Sequence, residues 1–328
     1  MRLSVLDQSP VSSGSTAADA LRDTVALAQA AERLGYSRYW LAEHHGTPGL
    51  AGCAPEVMVA RVAAATSTIR VGAGGILLSH YSARKVAEVF GVLAALFPGR
   101  IDLGIGRADG ASPAAVAALA AGSAEGAAHP FGRKLADLLS DLDRQESRPG
   151  AVAEGSEGPD VWLLASSSDG AGAAASLGLP LCFAQFISTG FGPQIVARYR
   201  MGFQPSMTRE WSQSSVAVAV ICAETDAEAE RLAASVDVWR LTSEDGRGPV
   251  PSVEEAASRH RSPLEEAKIA QSRKGLVVGG PRRVTDVLSR MAIDFDVDEL
   301  VVLTVCHDPR ARLRSYELLA QAFELNAG

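Results

Sequence analysis

The chain is poor in cysteine and lysine and has no long apolar run, and each shortage excludes something. Its four cysteines, Cys53, Cys182, Cys222 and Cys306, include no CxxC pair and lie in or beside apolar stretches. They read as free buried thiols of a reducing compartment, with a reactive thiol as the alternative, and not as a disulfide framework. Only four of the 31 basic residues are lysine, and 38 acidic residues leave a net charge of -7. That balance does not suit a nucleic-acid or anionic-membrane surface, where clustered Lys and Arg must neutralise phosphates. No apolar run approaches the ~18 residues of a membrane helix, and the opening MRLSVLDQSP has no signal-type apolar stretch. A soluble cytoplasmic protein is expected. Nucleotide and hydrolase signatures are missing too. Gly104-Ile105-Gly106-Arg107 starts like a dinucleotide fingerprint but carries Asp109 where the third glycine belongs, and no GxSxG elbow precedes a helix.

What is present is an alternation. Short apolar runs rich in β-formers, at 3–6, 39–41, 69–72, 101–105, 161–164, 181–184, 216–222 and 299–305, are each followed by a segment of helical period. Val86, Val89, Phe90, Leu93, Leu96 and Phe97, for example, recur at three and four residues until Pro98-Gly99 stops them. Strands too apolar to have a wet face, each followed by a helix, predict a parallel sheet covered by helices. At roughly 40 residues per unit, a closed (β/α)8 TIM barrel fits better than an open sheet. No linker divides the chain, so 1–328 is read as one domain. Two stretches break the rhythm: 108–158, rich in Ala and Gly, and 243–275, polar and charged. Both are expected as insertions at the C-terminal ends of strands. The second is either a mobile lid or a solvated loop.

In such a barrel the chemistry sits just after the strands. There the sequence places Glu43-His44-His45, Gly74-Gly75 and His80, Gly106-Arg107, Ser166-Ser167, Gln185 and His307, so that four of six histidines fall at strand ends. No metal site is expected, because His44 and His45 are adjacent and point to opposite sides of an extended segment. One catalytic histidine, with the others packed or hydrogen-bonded, is the preferred reading. Gly74-Gly75 marks either a bulge or tight turn, or the close approach of a flat ligand. Arg107 and Arg133 are candidate phosphate donors, as are Ser166 and Ser167 at a helix start.

The segments YWLAEHHGTPGLAGCAPEV, IRVGAGGILLSHYSARKVAEVF, FPGRIDLGIGRADG and VWLLASSSDGAGAAASLGLPL, with the final DELVVLTVCHDPRARLRSYELLA, together resemble the flavin-dependent bacterial luciferase-like monooxygenases. The resemblance implies the same (β/α)8 barrel and a site at its mouth for reduced FMN (FMNH2), supplied by a separate NAD(P)H:flavin reductase. It implies that a C4a-hydroperoxide formed with O2 oxygenates a small apolar or aromatic substrate, such as a polyketide or other secondary metabolite of antibiotic biosynthesis. His44 then matches the catalytic histidine, with Glu43 and His45 beside it. Gly74 and Gly75 match a non-prolyl cis bulge behind the flavin ring. Arg107, Arg133 and Ser167 match the flavin-phosphate contacts. Gly106 stands where light-emitting members carry a reactive cysteine, Gln185 where they carry an aromatic residue, and Gly170 where they carry a second hydroxyl, which argues against luminescence. The alternatives are an F420-dependent hydride-transfer enzyme, which shares the barrel, and a non-catalytic flavin-binding accessory subunit. The resemblance also implies a homodimer, for which Val57, Val62 and Phe90 are candidate apolar contacts.

Overall fold

A computed structural model describes residues 1–107, 113–121, 131–147, 157–206, 209–242 and 247–325. Nine parallel strands are found among them: β1 (Arg2–Asp7), β2 (Arg38–Leu41), β3 (Arg70–Leu77), β4 (Ile101–Gly106), β5 (Asp160–Ala165), β6 (Leu181–Ala184), β7 (Ser214–Cys222), β8 (Leu276–Gly279) and β9 (Glu299–Leu303). Eight of them close a barrel in the order β1-β2-β3-β4-β5-β6-β7-β9, because β6 pairs with β7 and β9 returns to pair with β1. These are the eight strands expected. The ninth, β8, pairs only with the last four residues of β7. Its four residues are too few to carry a periodic signal, and it follows the segment read as polar insertion.

Alternate residues of each strand enter two different cores. Tyr39 and Leu41 pack outward with helix residues such as Leu27, Val62 and Phe90, while Trp40 joins Leu6, Trp162, Cys182, Ala217 and Val301 inside the barrel. Val62 and Phe90, expected at a dimer face, are therefore part of the outer core; Val57 is 63% exposed. Inside, the indoles of Trp40 and Trp162 meet edge-on at 5.4 Å. The strands beside them carry glycine for want of room: a Cβ on Gly72 would lie 2.3 Å from the Asp102 carbonyl oxygen, and one on Gly104 2.3 Å from that of Ala73.

Beneath the indoles lies a charged floor. Arg38 donates to Asp102 at 2.8 Å and to Glu299 at 3.0 Å and stacks on Trp162 at 4.7 Å. Asp102 also accepts from Trp40 Nε1 at 2.8 Å and from Arg70 at 2.8 Å, and Ser4 donates to Glu299 at 2.7 Å. Burial works against the Arg38 charge, but Asp102 and Glu299 outweigh it and hold the guanidinium above its ordinary basicity.

The mouth is closed in part by the segments after β7. Helix Asp226–Arg240 turns Ala229, Leu232, Ala233, Val236 and Trp239 into the same cluster as the barrel-interior residues Ile221, Val301 and Leu303, so it lies over the barrel end. In the expected insertion 243–275, residues 243–246 are outside the described residues. The chain then pairs its backbone with the loops after β1 and β2 (Gly49 N to Arg247 O, 2.9 Å; Val250 N to Val11 O, 2.7 Å). It continues into helices Val253–Ser258 and Pro263–Arg273, each begun by a serine–glutamate capping box. Of the expected insertion 108–158, helices Pro113–Ala121 and Phe131–Ser147 are described and 108–112, 122–130 and 148–156 lie outside the described residues. No helix among the described residues is long and apolar enough to cross a membrane.

Removing one partner of a buried charge cluster leaves the others uncompensated, at a typical cost of about 3–5 kcal/mol. Arg38→Met, similar in volume, should therefore lower the unfolding free energy by that much, read as a lower urea midpoint at an unchanged denaturant slope. An unaltered midpoint would show that the floor contributes nothing net.

Candidate active site

The loop after β1 begins at Asp7, which accepts from Tyr39 OH at 2.5 Å, Arg312 at 2.6 Å and the Ser9 amide at 2.7 Å. Ser9 is thereby held in the left-handed region at φ 50°, and Gln8 between them is presented toward the end of β2. Gln8 Nε2 stands 3.4 Å from His44 Nε2. The other ring nitrogen of His44, Nδ1, is sealed from solvent and has no hydrogen-bond partner among the described residues. Burial, reinforced by the nearby charges of Arg247 and His45, pushes the His44 pKa down to about 4. His44 is thus a neutral imidazole at pH 7 with an unsatisfied nitrogen.

Glu43 and His45 behave differently. Glu43 is buried, and its carboxylate accepts from His45 Nε2 at 2.6 Å, Tyr81 OH at 2.7 Å and the Leu77 amide at 2.9 Å. A carboxylate only accepts, so His45 Nε2 carries the proton. His45 also meets His80 edge-on at 6.0 Å. The pair bolts the end of β2 to the turn after β3, and the adjacent histidines point apart.

That turn follows Gly74-Gly75, whose peptide bond is cis, and the β3–β4 register shifts between Gly74 and Ile76. A Cβ on Gly75 would fall 2.6 Å from the Gly104 carbonyl oxygen, and one on Gly74 2.9 Å from Trp40 Cβ. Gly106 has no such reason among the described residues: the nearest neighbour for a Cβ, Leu77 Cδ2, is 3.5 Å away, so a Cβ would fit in ordinary contact. On the neighbouring strands Arg107 is exposed after β4 and Ser166 half-buried after β5. Ser167 caps helix Ser168–Ser176, accepting from Gly170 N at 3.4 Å. Gly170 fits closely, since a Cβ there would be 2.7 Å from Ala165 Cβ. Gln185, after β6, buries its Oε1 beside Gly192 and Phe295 of the outer core, with no hydrogen-bond partner among the described residues.

Arg133 is not drawn in with these groups. Its side chain is 71% exposed and faces Asp137 at 3.6 Å on its own helix. The neighbouring Lys134 turns inward instead, donating to the carbonyls of Ser79 at 3.0 Å and Tyr81 at 3.3 Å, and so supports the β3 turn. His307 contacts the Ser13 carbonyl at 3.2 Å, while Ser13 Oγ donates to Glu255 at 2.6 Å, which joins the mouth to the inserted helices. Cys53 is exposed, contrary to expectation, and the other three cysteines are buried. Burial pushes the Cys182 and Cys306 thiols up to about 12. Sequence reasoning missed Gln8, although it is the polar residue directly after an apolar strand and that rule would have found it. It also missed Tyr81 and Lys134, for which no local signal exists.

The sequence profile of luciferase-like monooxygenases matches residues 1–292, and the chain belongs to that family. It is 45% identical over 329 residues to YwcH of Bacillus subtilis (strain 168), covering 98% of each chain. It is 36% identical over 332 residues to the N-acetyl-S-alkylcysteine monooxygenase of the same organism, again covering 98% of each. Among solved structures, apo-MsnO8 shares 43% identity and a TM-score of 0.90 over 99% of both chains. The oxygenating constituent of 3,6-diketocamphane monooxygenase from Pseudomonas putida, in complex with FMN, has the same fold at 17% identity (TM-score 0.67, 98% of this chain and 97% of that one). An F420-dependent secondary alcohol dehydrogenase does so at 10% identity (TM-score 0.66, 98% of each).

A histidine whose folded pKa lies below its unfolded value binds protons more tightly when unfolded. Stability is then complete above the unfolded pKa near 6.5 and falls as pH drops toward 4. The shift of His44 corresponds to about 3 kcal/mol lost over that window. Urea midpoints at pH 7 and pH 4.5 should show the loss in the native protein and a smaller one in His44→Gln; equal losses would mean that His44 titrates normally.

Proposed function

We propose that this protein is the oxygenase of a two-component, FMN-dependent monooxygenase, which takes reduced FMN from a separate NAD(P)H:flavin reductase and uses O2 to oxygenate a small apolar or aromatic molecule, such as a secondary metabolite. The observation that carries this reading is His44: a half-buried imidazole at the barrel mouth, kept neutral at pH 7 by burial and by the nearby charges of Arg247 and His45, the state in which an imidazole can accept and return a proton.

The residues fit the flavin. Gly74, Gly75 and Gly106 offer a face without side chains for a flat ring. Arg107, Ser166, Ser167 and the free amides at the start of helix Ser168–Ser176 suit its phosphate. Asp169, exposed in the first turn of that helix, sets a negative charge beside the phosphate seat and weakens retention, as a diffusible cofactor requires. Bound reduced flavin would supply the two electrons that activate O2. The protein's own part is to hold the ring against the glycines, to keep water out with helix Asp226–Arg240 and the segment from 247 to 275 as lid, and to pass a proton at the His44 imidazole. Glu43 and His45 hold the β3 turn in place for this. A homodimer through the exposed Val57, Val92 and Leu96 and a cytoplasmic location, where reduced flavin is supplied, complete the proposal. An F420-dependent hydride transfer is the second reading, motivated by the fold shared with that dehydrogenase.

Two outcomes are expected. When the anaerobic protein with photoreduced FMN is mixed with O2 in a stopped-flow spectrometer, flavin reoxidation should be slower than in buffer, and His44→Ala should still bind FMN but release only hydrogen peroxide. Reoxidation at the rate of free flavin, together with reduction of F420 by an alcohol, would shift the assignment to hydride transfer. Asp169→Asn should tighten FMN by about 2- to 5-fold, measured by fluorescence titration; weaker binding would mean that the phosphate lies elsewhere.

A further inference from the structure

The backbone sets Gln8 against His44 before either side chain is placed. The loops after β1 and β2 are stitched together: Ala42 N donates to the Asp7 carbonyl at 2.8 Å, Ala51 N to that of Ser9 at 2.9 Å and Val11 N to that of Gly49 at 2.9 Å. His44 N donates in turn to the Gly52 carbonyl at 2.8 Å. Gly52 itself is pressed on the end of β2, where a Cβ would lie 2.8 Å from the Ala42 carbonyl oxygen. On the first loop, Gln8 stands between two anchored residues. The Asp7 carboxylate accepts from the Ser9 amide at 2.7 Å, and the Ser9 hydroxyl meets that of Thr24 at 2.9 Å. The result is a part-buried contact of 3.4 Å between Gln8 Nε2 and His44 Nε2. It is the one side-chain hydrogen bond that either residue makes among the described residues.

An amide nitrogen only donates, so the ring nitrogen facing it must present a lone pair. A neutral imidazole has a single N–H, which then resides on Nδ1, the nitrogen sealed from solvent. We propose that Gln8 is a positioning residue that fixes His44 in its Nδ1–H form, so that the accessible nitrogen, Nε2, works as a base and not as a hydrogen-bond donor. The proposal rests on the monooxygenase reading for what the base acts on, and on the Gln8 contact for which atom acts. At 3.4 Å the bond is long, strong enough to choose between two tautomers and weak enough for a reactant to compete for the same lone pair. As the reactant's O–H or N–H bond breaks, its electron pair stays on the donor atom and the proton forms a new N–H bond at Nε2. The resulting imidazolium opposes the Gln8 N–H until the amide turns its oxygen inward, and the charges of Arg247 and His45 oppose it as well. The proton is therefore readily returned from the atom that took it.

The test reads the ring in the cofactor-free protein. Long-range proton–nitrogen correlation spectra of isotope-labelled histidine at pH 7 distinguish a protonated ring nitrogen from an unprotonated one, and His44→Gln identifies which of the six histidine signals belongs to His44. In the native protein the proton should sit on Nδ1 and the lone pair on Nε2. Gln8→Glu keeps the size but offers only acceptors, so it should move the proton to Nε2 and raise the midpoint of the His44 titration by about 1–3 pH units. Gln8→Met keeps the length and offers neither donor nor acceptor, so both tautomers should be populated. A glutamine that merely fills space would lower the Tm in both variants and leave the tautomer unchanged. A native His44 protonated at Nε2, or one tautomer common to all three proteins, would overturn the assignment. If the native protein let reduced FMN reoxidise at the rate of free flavin while the tautomer still followed residue 8, the monooxygenase reading would fail and the role of Gln8 would stand.

Discussion

The barrel depends on one cation. Arg38 enters from β2 and is met by Asp102 of β4 and Glu299 of β9, with Ser4 of β1, Arg70 of β3 and Asp160 of β5 around them. Six of the eight closing strands thus contribute to a single cluster in which each charge is 30% exposed or less. Desolvating such groups costs several kcal/mol each, and only complete pairing recovers it. A slip of one residue in any of these strands would turn its charge to the outer layer, against Leu27 or Phe90, and strand its partners inside. The floor therefore specifies register more than it adds stability, and the two indoles above it can then meet only glycine on β3 and β4.

The same crowding shapes the mouth. Because Trp40 and Asp102 fill the interior at β2 and β4, β3 has no side chains at Gly72, Gly74 and Gly75, and its upper end leaves the regular ladder. The turn that follows packs Leu78 into the outer core, and Glu43, Tyr81 and Lys134 add hydrogen bonds to it, which are directional enough to fix a surface without side chains beside His44. The filled floor and the bare mouth are two results of one distribution of volume.

This distribution explains what could be read in advance. Short continuous apolar runs and adjacent glycines are local features, so the eight closing strands and the irregularity at Gly74-Gly75 were legible, as was the position of Glu43-His44-His45 at the end of β2. Pairings such as Arg38 with Asp102, 64 residues apart, leave no local trace. Neither does the choice of Lys134 over Arg133 as the inward residue, which rests on a rotation of about 100° between neighbours on a helix. Helix Asp226–Arg240 looked like one more outer-layer helix because its apolar stripe is the same whether it covers the side of the barrel or the end.

At the mouth the fold leaves His44 uncompensated. Burial first, and the nearby charges of Arg247 and His45 second, make its protonated form unfavourable, and its Nδ1 finds no partner among the described residues. An imidazole so placed gives up its proton and is neutral at pH 7, which a guanidinium in the same field could not do. An apolar residue at this position would relieve the burial cost, so stability does not account for the histidine.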